Sequence, residues 1–112
     1  MTVKPAFLYN GLRTEGRSEL IIKVSVIIPV YNAESFLRPC LNSVISQNYK
    51  DSEIILIENG SEDGSRTICE EYAERFENIR IITEKQRGTA MARQRGLDVC
   101  KGEAVVFVDA DD

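Results

Sequence analysis

The sequence contains no histidine, and this absence removes several kinds of chemistry from the chain. A histidine base, a histidine metal ligand and a serine–histidine–aspartate triad are all excluded within it. The three cysteines, Cys40, Cys69 and Cys100, are far apart and form no CxxC pair, so we expect three buried, reduced thiols. Any catalysis by these residues must therefore use carboxylates, arginine, lysine, hydroxyl groups or a bound metal ion.

Long apolar runs and basic blocks are also missing. No stretch approaches the ~20 apolar residues of a membrane-spanning helix, and residues 1–20 lack the apolar segment of a secretory signal. The 112 residues carry 18 acidic and 14 basic side chains, a net charge of −4, which does not favour nucleic acid as a partner. We expect one soluble globular domain or a piece of one, in the cytoplasm, with the inner face of the membrane as a further place of action.

Residues 1–22 show no clear hydrophobic period, and we interpret them as an irregular N-terminal extension. From residue 23 to residue 112 the pattern is regular and indicates a single α/β domain. Short, β-branched apolar runs predict four strands, at residues 24–28, 54–57, 79–83 and 104–108. Pro29 is expected to end the first of them.

Three segments between these strands carry apolar residues at helical spacing. The first helix is expected to begin at Ser35 or Phe36, because Pro39 is tolerated only near a first turn. Ser61 or Asp63 is the expected N-cap of the second helix, and Gly88-Thr89 precedes the third. The predicted inward-facing residues are Phe36, Leu37, Cys40, Leu41, Val44 and Ile45, then Ile68, Tyr72, Ala73 and Phe76, then Ala90, Leu97 and Cys100.

The order βαβαβαβ, with strands that are apolar throughout, predicts a parallel sheet covered by helices on both faces. With right-handed crossovers this is a doubly wound, Rossmann-like α/β fold. Ligands of such sheets bind beyond the carboxyl ends of the strands. In this chain those ends carry polar and acidic groups, namely Tyr31 to Glu34, Glu58 to Asp63, and Asp109 to Asp112.

Asp109 and Asp111 are two residues apart, so in an extended segment their side chains point the same way. Crowded carboxylates repel one another and are stabilised by a cation. Mg²⁺ and Mn²⁺ prefer oxygen ligands and bring phosphate groups with them. The sequence therefore predicts a Mg²⁺ or Mn²⁺ site here, and the alternative is a solvated acidic turn.

Other polar residues at this edge have two interpretations each. Tyr31 is either a stacking surface for a base or a half-buried core residue. Asn59 either meets a base edge through its amide or serves as a turn residue before glycine. Glu58 is a ribose or base partner or a strand-end charge, and Arg93 is a partner of a diphosphate or of the acidic cluster, or a surface arginine. Lys85, Arg87 and Arg95 are interpreted as solvated.

Two common nucleotide-binding motifs are absent. The first strand leads into PVYNAE instead of a GxGxxG loop, and no GxxxxGK[ST] occurs, which disfavours a dinucleotide fold and a P-loop. A receiver-like signalling module would need an acid pair after the first strand, where Pro29 and Val30 stand. A sugar nucleotidyltransferase would need a glycine-rich loop at the same place. A non-catalytic nucleotide-binding or interaction module stays open.

Four motifs occur together in one order: VSVIIPVYNAE (24–34), IENGSEDGS (57–65), RGTAMARQRGLDVCKGE (87–103) and VVFVDADD (105–112). In this respect residues 23–112 resemble the N-terminal, nucleotide-binding half of family 2 glycosyltransferases, which have the GT-A fold. The resemblance implies inverting transfer of a sugar from a nucleotide-diphosphate donor, most commonly a UDP-sugar, to an acceptor hydroxyl on a glycan or lipid.

The resemblance also implies residue roles. Pro29, Tyr31 and Glu34 match the motif beside the nucleotide. Glu58 stands where the family usually has aspartate, while Asn59 and Arg93 match and Gln94 replaces the usual asparagine. Asp109-Ala110-Asp111 matches the DXD motif, which implies that Asp111 binds the metal and that Asp109 reaches the ribose or the metal.

No residue matches the family's catalytic base, which we expect beyond Asp112 together with the acceptor site and further strands. We therefore expect the chain to be inactive alone, although it supplies the donor and metal half of an enzyme. A central strand left at the edge of the sheet is expected to favour self-association.

Overall fold

The computed structural model describes residues 3–8, 23–47 and 51–110, and of residues 3–8 only the backbone is described. The strands are β1 (Val3–Leu8), β2 (Val24–Val30), β3 (Ser52–Glu58), β4 (Ile79–Thr83) and β5 (Ala104–Val108). The helices are α1 (Glu34–Ser46), α2 (Ser65–Arg75) and α3 (Thr89–Val99). None of these helices is long and apolar enough to cross a membrane.

The described strands form one five-stranded sheet in the order β1-β5-β2-β3-β4. Strands β5, β2, β3 and β4 are parallel, with Val26 opposite both Val106 and Ile54. The predicted Rossmann-like α/β fold is confirmed. The chain moves from β2 outward through β3 and β4 and then returns to the other side of β2. Strand order therefore reverses at the carboxyl ends of β2 and β5, which is where such sheets bind ligands.

The prediction of an irregular N-terminal extension is wrong for residues 3–8, which form β1 and pair antiparallel with β5. The rest of that segment lies outside the described residues. Because β1 covers β5, the central strand is not left at the edge of the sheet. The reason given for self-association is therefore wrong. The pairing joins residues about a hundred positions apart, which local periodicity does not reveal.

Alternate residues of the strands enter two hydrophobic cores. Val26 and Ile28 of β2 face α1 and α2, which contribute residues such as Leu41 and Tyr72 to the larger core. Ile27 faces the smaller core, which contains Ala92 of α3. Helices therefore cover both faces of the sheet, and this explains why the strands are apolar along their whole length.

Strand β2 and helix α1 differ from the predictions at their junction. Strand β2 continues through Pro29 to Val30, because β5 pairs with β2 only as far as Ile27 and the proline interrupts no ladder on that side. Helix α1 begins at Glu34, one residue before the predicted start. Phe36, predicted to face inward, is 49% exposed at the first turn.

The predicted buried face of α3 is wrong. Ala90 and Leu97 are exposed, and the helix instead buries Ala92 and Gly96. A Cβ placed on Gly96 would lie 2.4 Å from Cγ2 of Ile27, so the missing side chain is what lets the helix approach the sheet. A hydropathy pattern gives weight to large apolar residues and overlooks a contact made through glycine.

Candidate functional site

A cavity of about 280 Å³ opens at the carboxyl edge of the sheet, where strand order reverses. It is lined by residues from the ends of β2, β3 and β5 and from the start of α3. These residues are Pro29, Val30, Tyr31, Ala33, Asn59, Thr89, Arg93, Asp109 and Ala110. Five predicted site residues are thus brought together, namely Pro29, Tyr31, Asn59, Arg93 and Asp109.

Arg93 and Asp109 form an ion pair in this cavity. Nη2 of Arg93 donates to Oδ1 of Asp109 at 3.2 Å, and the guanidinium also lies over the ring of Phe107, 5.5 Å from its centroid. Nε of Arg93 is buried and has no hydrogen-bond partner among the described residues. A buried donor without an acceptor is unfavourable.

Asn59 is 4% exposed and uses its amide to hold the loop between β4 and α3. Its Nδ2 donates to the carbonyl oxygens of Glu84 and Gln86, both at 2.8 Å. Its Oδ1 accepts from the N–H of Gly88 at 3.0 Å. Both amide protons are therefore used internally. The side chain shapes the cavity wall, and only Oδ1 retains a lone pair for a ligand.

Glu58 does not line the cavity. It is 2% exposed and lies under the turn after β3, where it accepts from the N–H of Ser61 at 3.0 Å and of Gly60 at 3.3 Å. Nη1 of Arg66 is 3.8 Å from Oε2. This carboxylate stabilises the turn that follows it, in which Gly60 has φ 84.

Glu34 does not line the cavity either, and together with Asp63 it ties two loops to each other. Oε1 of Glu34 accepts from the N–H of Gly64 at 2.9 Å, and the N–H of Glu34 donates to Oδ2 of Asp63 at 3.2 Å. Asp63 precedes the N-cap of α2, Gly64, and accepts from the N–H of Ser65 at 2.9 Å. Hydrogen bonding to Ser65 holds the pKa of Asp63 below its usual value.

Sequence reasoning missed three polar residues that join the same two loops. Asn32, with φ 48, accepts from the N–H of Glu62 at 2.8 Å, and its own N–H donates to Ser61 Oγ at 3.0 Å. The fully buried Ser65 accepts from the N–H of Ala33 at 2.8 Å. The sequence shows a run of small polar residues after each strand, but it does not indicate which of them pair with one another.

Tyr31 is 41% exposed at the rim of the cavity. The guanidinium of Arg87, from the loop before α3, lies over its ring at 4.1 Å from the centroid. Thr89, at the first position of α3, also lines the cavity and was not predicted as a site residue.

Of the two predicted metal ligands, the structure describes one. Asp109 follows β5 directly and lines the cavity, whereas Asp111 lies outside the described residues. The described part of the chain contains no group of three or more acidic, cysteine or histidine residues that could hold a metal ion. A Mg²⁺-type ion still fits the carboxylate of Asp109, because such ions are usually bound by one or two carboxylates, with waters and substrate phosphates completing the shell.

The chain matches the family model described as glycosyl transferase family 2 over residues 25–112. It belongs to this family, as the motifs indicated. It is 46% identical to Glycosyltransferase GlyA of Streptococcus pneumoniae over 90 residues, which are 80% of this chain and 13% of that protein. It is also 46% identical over 90 residues to the uncharacterized glycosyltransferase YibD of Escherichia coli, covering 80% of this chain and 26% of that protein.

Solved structures agree with this assignment. A mannosyltransferase from Pyrobaculum calidifontis, in complex with GDP-Man and Mn²⁺, superposes with a TM-score of 0.75 at 29% identity, over 82% of this chain and 28% of that one. Staphylococcus aureus TarS 1–349 in complex with UDP gives 0.72 at 31% identity, over 80% and 27%. The GT-A fold is thereby confirmed, and a non-catalytic module is not favoured. The chain spans little more than a quarter of either structure.

Proposed function

We propose that this chain supplies the donor-binding half of an inverting glycosyltransferase that moves a sugar from a nucleotide diphosphate to an acceptor hydroxyl. The observation that carries this proposal is the Arg93–Asp109 pair in a cavity at the point of strand reversal, within a family 2 sequence. A guanidinium and a carboxylate side by side suit a ligand that carries both a diphosphate and a metal ion.

The cavity residues suggest how the donor lies. The half-exposed ring of Tyr31 is a stacking surface for the base, with the remaining lone pair of Asn59 Oδ1 nearby as an acceptor. Asp109 is placed to accept from the ribose or to bind the metal. Arg93 lines the cavity with a side chain that is 42% exposed, so its guanidinium can meet the diphosphate.

Asp111 and Asp109 are the proposed ligands of Mg²⁺ or Mn²⁺. The bound ion would neutralise the diphosphate and stabilise the charge that develops on the leaving group. The complex of the mannosyltransferase with GDP-Man and Mn²⁺ supports a divalent ion, and the complex of TarS with UDP supports a uridine donor as one choice. The likeness to TarS and the frequency of UDP donors in the family favour a UDP-sugar.

Glu34 and Glu58 were predicted to contact the nucleotide, and the proposal gives them an indirect part. Glu34 joins the loops after β2 and β3, and Glu58 holds the turn after β3. Both carboxylates stabilise the backbone from which Tyr31 and Asn59 meet the cavity. Transfer itself further needs a base for the acceptor hydroxyl, which no described residue of the cavity matches, and an acceptor of the glycan or lipid class.

Calorimetric titration of the chain with UDP and with GDP, each in Mn²⁺ and in EDTA, tests this proposal. We expect heat with one nucleotide in Mn²⁺ and a much weaker signal in EDTA, because the metal joins the diphosphate to the aspartates. Circular dichroism on the same sample verifies that the chain is folded. A folded chain that binds neither nucleotide contradicts the proposal.

A further inference from the structure

Arg87 was interpreted as a solvated side chain, but it makes a defined contact with Tyr31. Its guanidinium carbon lies 4.1 Å from the centroid of the Tyr31 ring, within the range of a cation–π interaction. Nε of Arg87 also lies 3.7 Å from the place that a Cβ on Gly60 would occupy. The guanidinium is thus close to both the aromatic ring and the turn after β3.

The backbone on either side of Arg87 is fixed. Asn59 accepts from the N–H of Gly88 and donates to the carbonyl oxygens of Gln86 and Glu84. The N–H of Gln86 also donates to Oε2 of Glu84 at 2.9 Å. Because its two neighbours are both bonded to one buried asparagine, Arg87 projects from a rigid loop.

Tyr31 lines the cavity, whereas Arg87 is not among the residues that line it. Arg87 therefore contacts the ring of a cavity residue without lining the cavity itself. A guanidinium packed on the ring limits the movement of the ring. A ring that is already held loses less rotational freedom when a base stacks on it, so less of the binding free energy is spent on ordering it.

We propose that Arg87 is a positioning residue that holds Tyr31 as the stacking surface for the nucleobase of the donor. The inference rests on the proposed nucleotide site. In this proposal Arg87 does not contact the nucleotide, and Asn59 fixes the position of Arg87. Loss of the guanidinium weakens binding of a ligand that has a base and leaves binding of a ligand without one unchanged.

The test compares UDP with inorganic pyrophosphate, both in Mn²⁺, on the chain and on Arg87→Met, Arg87→Lys, Tyr31→Leu and the double variant. Arg87→Met raises the Kd of UDP about two- to tenfold, the range expected when one more side chain must be ordered on binding. The Kd of pyrophosphate stays the same. In the Tyr31→Leu background the substitution has no further effect on UDP, and Arg87→Lys restores part of the affinity.

Arg95→Met is the matched control, since Arg95 is an exposed arginine of α3 that does not line the cavity. It removes the same charge and leaves both Kd values unchanged. Equal weakening of UDP and pyrophosphate by Arg87→Met overturns the inference, because Arg87 then acts on the phosphates. The inference is also overturned if Arg87→Met raises the Kd of UDP by the same factor in the Tyr31→Leu background. If the unsubstituted chain binds no UDP, the proposed function fails and this inference fails with it, whereas UDP binding that is indifferent to Arg87→Met defeats the inference alone.

Discussion

The two ends of the sheet each hold a carboxylate beside an arginine, and the pairs are built differently. At the amino end, Glu53 accepts from Ser25 Oγ at 2.5 Å and from the N–H of Lys101 at 2.6 Å, and lies 3.5 Å from Nη2 of Arg80. The same Nη2 of Arg80 donates to the carbonyl of Val99 at 2.6 Å. Glu53 is only 8% exposed. This group joins β2, β3 and β4 to the segment between α3 and β5.

At the carboxyl end, Arg93 and Asp109 are joined by a contact of 3.2 Å, and their side chains are 42% and 27% exposed. Arg93 Nε lacks an acceptor among the described residues. The amino-end carboxylate is buried and richly hydrogen-bonded, which suits stability, although Arg80 is 38% exposed, whereas the carboxyl-end pair lines a cavity. We infer that the first carboxylate serves folding and the second serves a ligand.

The largest expected effect is on ligand binding at the carboxyl end. Asp109→Asn should weaken Mn²⁺-dependent binding of UDP about 10- to 100-fold, because it removes the charge proposed to bind the metal or the ribose. Unfolding in urea should change by no more than about 1 kcal/mol, since the pair with Arg93 is partly exposed. A large loss of stability with unchanged affinity would reverse the roles of the two ends.

The next effect is on stability at the amino end. Glu53→Gln should lower the free energy of unfolding by about 2 kcal/mol, because the two hydrogen bonds to Oε2 lose their charged acceptor and an NH2 group would replace the Oε1 that faces Nη2 of Arg80. Urea unfolding followed by circular dichroism measures this change. Glu103→Gln is the control, as it removes the same charge from an exposed position. Equal losses in the two variants would mean that overall charge, and not the buried group, is responsible.

A smaller effect is expected on acidification. Burial opposes ionisation of Glu53, but hydrogen bonds from Ser25 and the N–H of Lys101, together with Arg80, outweigh it and hold the pKa of Glu53 below its usual value. A carboxyl with a lowered folded-state pKa stabilises the fold above its unfolded pKa of about 4.3, and this contribution disappears as the pH falls through the folded value.

The unfolding free energy of the chain should therefore fall below about pH 4.3, and more steeply than that of Glu53→Gln. Urea unfolding at pH 7, 5, 4 and 3 gives both curves. Parallel curves would show that the partners of Glu53 do not lower its pKa in the folded state.

The hydrophobic periodicity of the sequence predicted most of the strands and helices, but fewer features of the candidate site. The bounds of β4 and β5 agree with the sequence prediction, because short β-branched runs between polar residues have few alternatives. The buried face of α3 was missed, since it depends on Gly96 fitting against Ile27. Strand β1 was missed because its partner lies at the far end of the sequence.

Within the site, the topology rule placed Tyr31, Arg93 and Asp109 correctly at one edge. The partners of individual side chains could not be predicted in the same way. The bonds of Asn59 to the loop before α3 span 25 to 29 residues, and the contact between Arg87 and Tyr31 spans 56 positions. Such pairings depend on how three loops meet in space, which neither spacing nor composition specifies.

We infer that the carboxylate at the amino end of the sheet serves folding and the one at the carboxyl end serves the donor. The most direct test is the shift in unfolding temperature caused by UDP with Mn²⁺, measured on the chain, Glu53→Gln and Asp109→Asn. A ligand that binds only the folded state raises that temperature, and the rise increases with the logarithm of one plus the ratio of ligand concentration to Kd. We predict a clear rise for the chain and for Glu53→Gln, which starts from a lower value, and little or no rise for Asp109→Asn. A rise in Asp109→Asn as large as in the unsubstituted chain would contradict the assignment of the carboxyl end as the donor site.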